Sequence, residues 1–186
     1  MTTIIGLSGS LRKASFNAGL LRAAKEVMPA GAELQIESIR GIPLFDQDDE
    51  AANGIPEAVK ALKEKIVAAD GLLLVTPEYN NGIPGVFKNA IDYLTRPASD
   101  VKRVFGGKPV GLIGATPSGW GTLLSQSAWL AVLRHIGAQH WSSGRMALSK
   151  AMDSFETDGT LKDEKIREQL KAYMEGFVAF VKASKA

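Results

Sequence analysis

The residues from Gly9 to Asn17 (Gly-Ser-Leu-Arg-Lys-Ala-Ser-Phe-Asn) follow directly on the apolar run at 3 to 8 and have the composition of a phosphate cradle. Gly9 and Ser10 allow close backbone approach, Ser10, Ser15 and Asn17 offer side-chain donors, and Arg12 supplies charge. A helix starting in this segment aims its free N–H groups and the positive end of its dipole at the same anion. A second junction, Thr76-Pro-Glu-Tyr-Asn-Asn-Gly-Ile-Pro-Gly85, follows the apolar run at 71 to 75. Pro77 and Pro84 bracket it and restrict its backbone, so its polar groups are held ready for a ligand edge. A third loop, Thr116-Pro117-Ser118-Gly119-Trp120-Gly121-Thr122, follows the run at 108 to 115 and adds backbone donors at the start of another helix.

Several chemistries are excluded by what is missing. The chain has no Gly-x-x-x-x-Gly-Lys-Ser/Thr and no Gly-x-Gly-x-x-Gly, so neither a triphosphate loop nor the dinucleotide fingerprint is present. Gly6-Leu7-Ser8-Gly9-Ser10 falls one glycine short of a nucleophile elbow, and only His135 and His140 are available to complete a triad around Ser8. A serine hydrolase is therefore a minor alternative. With no cysteine there is no disulfide, thiolate metal site or Cys-x-x-Cys centre, so electron chemistry requires a bound cofactor. Neither histidine has metal-ligand spacing, and no metal is expected. The 22 Lys plus Arg against 20 Asp plus Glu leave a charge of +2, which provides no general field for nucleic acid or an anionic membrane. No segment approaches the roughly 20 apolar residues of a membrane span, and a cytoplasmic protein is expected.

These loops need a scaffold that opens them on one edge. Strands are expected at 3–8, 33–39, 71–75, 108–115 and about 138–142, with helices between them and a last helix carrying Ile166, Leu170, Tyr173, Phe177 and Phe180. The alternating pattern at 33–39 marks a sheet edge, the acidic stretch from Asp46 to Glu50 reads as a loop, and an irregular polar stretch reaches about residue 160. This is an α/β chain forming one domain over 1–186: a flavodoxin-like, doubly wound, five-stranded parallel sheet with helices on both faces. The order 2-1-3-4-5 places the first and third strands side by side, with a ligand crevice where their connections diverge.

The motif Gly9-Ser10-Leu11-Arg12-x-x-Ser15-x-Asn17 occurs together with Pro77-Glu78-Tyr79-Asn80-x-x-x-Pro84-Gly85-x-x-Lys88-Asn89-Ala90-Ile91-Asp92. The pair resembles the NADPH-dependent FMN reductase family, on the side of the bacterial quinone and chromate reductases. The resemblance implies that Ser10, Arg12, Ser15, Phe16 and Asn17 hold the FMN phosphate. It also implies that Pro77, Glu78, Tyr79, Asn80 and Asn81 lie beside the isoalloxazine ring. Thr116, Pro117, Ser118, Gly119, Trp120 and Gly121 occupy the place of the third flavin loop, where the sequence departs from the glycine-rich runs of many relatives.

The implied activity is two-electron transfer from NADPH or NADH through flavin N5 to quinones, with chromate, ferric complexes or azo compounds as further acceptors, in a ping-pong order. No side chain need act as nucleophile. Helix donors near 116–122 would stabilise the negative charge that reduction places around flavin N1 and O2. A flavodoxin-type electron carrier is the alternative, and the balanced charge argues against it. Arg12, Lys13, Arg96, Lys102 and Arg103 are candidate contacts for a 2′-phosphate or an anionic acceptor. The apolar residues Leu123, Leu124, Ala128, Trp129, Leu130, Ala131, Val132, Leu133 and Ile136 surround their helix, which calls for a partner surface. A homodimer or dimer of dimers, which the resemblance also implies, supplies one.

Overall fold

A computed structural model describes residues 1–185, and its framework is a wholly parallel sheet. The strands are β1 (Thr2–Ser8), β2 (Ala32–Glu37), β3 (Gly71–Val75), β4 (Pro109–Ala115), β5 (Gln139–His140) and β6 (Met146–Leu148). The order is β2-β1-β3-β4-β5, as the sequence pattern predicts, with β6 also pairing with β4. The helices are α1 (Phe16–Glu26), α2 (Gln47–Asn53), α3 (Glu57–Ala68), α4 (Gly85–Leu94), α5 (Val101–Phe105), α6 (Leu123–His135), α7 (Ala151–Ser154) and α8 (Glu164–Ala183).

The central strands read as continuous apolar runs because both sheet faces are covered. Ile4, Leu73, Val75 and Ile113 pack on one side with the buried faces of α1 and α8. Ile5, Leu7, Leu72, Leu74 and Leu112 pack on the other with α3, α4, α5 and α6. The α8 stripe runs through Leu170, Tyr173, Met174, Phe177, Val178 and Val181, while Phe180 lies at its margin. The chain leaves β1 toward the α1 side and β3 toward the α4 side. Their carboxyl ends therefore bound a crevice at the switch point.

Two segments differ from expectation. The acidic stretch is the start of α2: Asp46 caps it by accepting from the N–H groups of Asp48 (2.8 Å) and Asp49 (3.3 Å), and Asp48, Asp49 and Glu50 occupy its first turn. No residue of α2 is buried, so it has no apolar periodicity to betray it. The stretch after β5 is not wholly irregular, because β6 takes up the partnership with Ile113, Gly114 and Ala115 that β5 leaves after Val110. The interruption is filled by Trp141, whose ring packs on Tyr173 (4.8 Å between centroids) and Phe177 (5.8 Å). In the gap the Tyr173 hydroxyl donates to the Leu112 carbonyl at 3.1 Å.

Candidate functional site

Three loops leave the carboxyl edge of the sheet, and each begins by prolonging the ladder. The N–H of Gly9 donates to the Val75 carbonyl (2.9 Å), that of Thr76 to Ile113 (2.8 Å) and that of Thr116 to Leu148 (3.0 Å). The loops thus start from fixed positions on rigid strands. Between them lies a cavity of about 510 Å³, within the range of roughly 300–1,000 Å³ found for cofactor clefts. Its wall brings together Ser10, Arg12, Ser15, Phe16 and Asn17 from the first loop, Pro77, Glu78 and Tyr79 from the second, and Thr116 and Pro117 from the third.

One end of this cavity suits an anion. Ser15 is the N-cap of α1, accepting from the Ala18 N–H at 3.4 Å, and the first-turn N–H groups of Phe16 and Asn17 have no carbonyl within the helix to bond. Arg12 is the one cation among the lining residues, with its guanidinium 5.3 Å from the centroid of the Phe16 ring. The rest of the wall is largely apolar, with Pro77 and Tyr79 from the second loop and Ala115 and Pro117 from the root of the third. A cation and helix N–H groups for a phosphate, together with apolar wall for a ring system, are what a phosphorylated planar ring requires, so the residues present fit FMN.

Asn17 lines the cavity, but its amide is engaged elsewhere. Its Nδ2 donates to the Ala115 carbonyl at 2.7 Å, and its Oδ1 accepts the Ala115 N–H at 2.9 Å. The side chain therefore bolts the first loop to the root of the third. Gly9 likewise serves packing: a Cβ there would lie 2.3 Å from Cδ1 of Phe87 and 2.9 Å from Cδ of Pro77.

Asn80 and Asn81 lie outside the cavity wall. Both have positive φ (50° and 61°), and Tyr79 and Gly82 exchange backbone hydrogen bonds at 3.1 and 3.0 Å. This is the two-residue hairpin turn in which asparagine tolerates the left-handed conformation. Ser118, Gly119, Trp120 and Gly121 also lie outside the wall, and Trp120 is 82% exposed. The Glu78 carboxylate accepts the N–H groups of Leu124 (2.9 Å) and Ser125 (3.0 Å) at the start of α6. Beneath it, the buried Thr76 Oγ1 bonds Ser125 Oγ at 2.8 Å and accepts from Trp129 Nε1 at 3.1 Å.

Two lining residues had no signal in the sequence: Ala115 and Met152. Met152 stands on α7, drawn over the cavity because the Ala151 N–H donates to the Thr116 carbonyl (3.0 Å) and the Lys150 N–H to that of Ser118 (2.9 Å). Of the candidate cations, Arg96 is paired with Glu50 (2.8 Å) and Arg103 with Glu64 (2.8 Å) and Asp100 (3.3 Å). Lys13 and Lys102 are not part of the wall.

The Ser8 alternative does not assemble. Ser8 pairs in register with Val75, which pairs with Ile113, whereas His140 is paired with Val110, three residues back along β4. At about 4.8 Å per strand, the three strand steps from β1 to β5 alone separate the two by roughly 14 Å. His135 lies at the far end of α6. Among the described residues no cluster of His, Asp and Glu could hold a metal ion, and no helix is long and apolar enough to cross a membrane.

A parallel sheet of this order, with a phosphate-suited cavity at its β1/β3 switch point, defines a flavodoxin-like nucleotide-binding protein. The family model described as NADPH-dependent FMN reductase matches residues 2–153. An NAD(P)H-dependent FMN reductase of Pseudomonas aeruginosa is 36% identical over 179 residues, covering 96% of this chain and 95% of the relative. A 2-hydroxy-1,4-benzoquinone reductase of Burkholderia is 35% identical over 174 residues, covering 94% and 93%. The solved structure of FerB, a flavoenzyme NAD(P)H:(acceptor) oxidoreductase from Paracoccus denitrificans, superposes with a TM-score of 0.86 at 32% identity over 99% of both chains. The chain belongs to the NADPH-dependent FMN reductase family. It is an FMN-dependent oxidoreductase with NAD(P)H as electron donor.

Proposed function

We propose that this single-domain protein reduces quinones, with chromate, ferric complexes and azo compounds as secondary acceptors. The observation that carries the reading is the cavity itself, which brings the start of α1 and Arg12 together with apolar wall from the second and third loops. Bound FMN would supply two-electron chemistry at N5, between the nicotinamide donor and an acceptor that takes the vacated place. The chain binds and orients. Ser10, Arg12, Ser15 and the first turn of α1 hold the phosphate, and Phe16 supports the Arg12 guanidinium from below. Pro77 and Tyr79 border the ring, with Asn80 and Asn81 shaping the hairpin that presents Tyr79. Thr116 and Pro117 close the opposite wall, and Ser118 to Gly121 extend it toward solvent.

A quinone acceptor is supported by the Burkholderia relative, whose name gives its substrate as a hydroxybenzoquinone. Association into a homodimer, or a dimer of dimers, is supported by apolar residues left open around the cavity mouth and along α6. Tyr79, Leu123, Leu124, Leu130 and Trp120 are all exposed. A partner covering them would border the acceptor pocket.

The test is steady-state turnover of a panel of quinones and metal oxyanions with NADPH and with NADH. Parallel double-reciprocal lines support the ping-pong order, and intersecting lines contradict it. Bleaching of bound flavin by NADPH without another protein separates the enzyme from an electron carrier. Arg12→Ala is expected to weaken FMN retention at least tenfold while leaving the stability of the apoprotein within about 0.5 kcal/mol, as for exposed substitutions generally.

A further inference from the structure

Glu78 stands in the cavity wall and also caps α6, a 13-residue helix whose N-cap residue, Thr122, makes no side-chain cap bond of its own. Both donated N–H groups, from Leu124 and Ser125, converge on one carboxylate oxygen, Oε2. The positive end of a helix dipole corresponds to about half an elementary charge. A full carboxylate over-compensates it, so the field reaching the cavity from this end of α6 is negative. The sequence pattern had assigned this helix end the opposite task, stabilising the negative charge of reduced flavin.

Holding α6 in place does not require that charge. Thr76 Oγ1, Ser125 Oγ and Trp129 Nε1 already join the root of the second loop to α6 through buried hydrogen bonds of 2.8 and 3.1 Å. A neutral amide oxygen in place of Oε2 could accept the same two N–H groups. What a neutral acceptor would lack is the charge.

We propose that Glu78 tunes the cofactor electrostatically: its charge disfavours the anionic reduced FMN relative to the oxidised form and keeps the bound flavin a strong reductant toward acceptors. The inference rests on the FMN reading of the cavity and adds a role for one residue of its wall. By linkage, a change in the potential of the bound cofactor equals the change in the ratio of its oxidised and reduced dissociation constants. For a two-electron couple a tenfold change in that ratio is 29.6 mV.

The experiment measures the potential of bound FMN against reference dyes in the wild type and in Glu78→Gln, Glu78→Asp and Glu78→Ala. Glu78→Gln keeps the cap and removes the charge, so binding of reduced FMN is expected to gain about tenfold over binding of oxidised FMN, raising the potential by about 30 mV. Glu78→Asp keeps the charge and loses part of the cap, and its ratio is expected to stay within twofold of wild type. Glu78→Ala shifts the potential in the same direction as Glu78→Gln, with a lower apoprotein melting temperature, and serves if the glutamine variant fails to fold. An unchanged potential in flavin-loaded Glu78→Gln, or an equal shift in Glu78→Asp, would overturn the proposal and leave a cap alone. Wild-type protein that takes up no FMN would instead sink the cavity assignment, and this inference with it.

Discussion

Replacing Asn17 separates a ligand from a clamp. The side chain is 4% exposed, and it satisfies both backbone groups of Ala115, itself 1% exposed, through bonds of 2.7 and 2.9 Å. In Asn17→Ala the Ala115 N–H and C=O are left buried without partners. Each such group costs about 1–3 kcal/mol, so the apoprotein is expected to lose roughly 2–6 kcal/mol. For a chain of this size about 2–4 °C accompanies each kcal/mol, so the melting temperature should fall by roughly 4–24 °C. Asn17→Asp should not rescue it, because the second carboxylate oxygen would face the Ala115 carbonyl instead of donating to it. The assay is thermal or urea unfolding of cofactor-free protein, which removes any contribution from FMN binding. An apoprotein melting temperature within 2 °C of wild type, together with lost FMN affinity, would refute the clamp and make Asn17 a direct phosphate ligand.

Gly19→Ala places a Cβ 1.7 Å from the Gly159 carbonyl oxygen, so α1 and the turn at 155–161 must separate. Overpacking of this kind costs about 1–3 kcal/mol, and amide exchange should quicken first in residues 155–161; unaltered exchange there would contradict the packing account. The hydrogen bonds from Lys63 and then Arg103 hold the Asp100 carboxyl below its ordinary value of 3.8. A depressed folded-state value stabilises the protein above pH 3.8, and that contribution is lost as pH falls through the lowered value. Asp100→Asn should therefore unfold more readily than wild type at pH 7, and urea midpoints of the two should converge in strong acid; a constant difference across the range would refute the linkage.

Much of this architecture was legible because its causes are local. Buried parallel strands write themselves as apolar runs such as Gly71 to Val75, and Pro56 and Pro84 stand at the N-cap positions of α3 and α4. The first loop was readable because hydroxyl, amide and guanidinium groups fall together before a helix start. What could not be read depends on distant partners. Nothing around Glu78 shows that its carboxylate will meet amides 46 and 47 residues away. Met152 stands in the wall where α7 is bonded to the third loop, and β6 follows a β5 of only two residues, after which Trp141 packs on Tyr173. Asn80 and Asn81 form the hairpin turn, with positive φ values that asparagine tolerates.

The start of α1 and Arg12 are expected to clasp the phosphate of a flavin. Titration of cofactor-free protein with FMN and with riboflavin, followed by quenching of flavin fluorescence, tests it most directly. Saturable uptake of one FMN per chain is expected, with riboflavin, which lacks the phosphate, binding at least a hundredfold more weakly. Equal affinity for the two, or no saturable uptake of FMN, would contradict it.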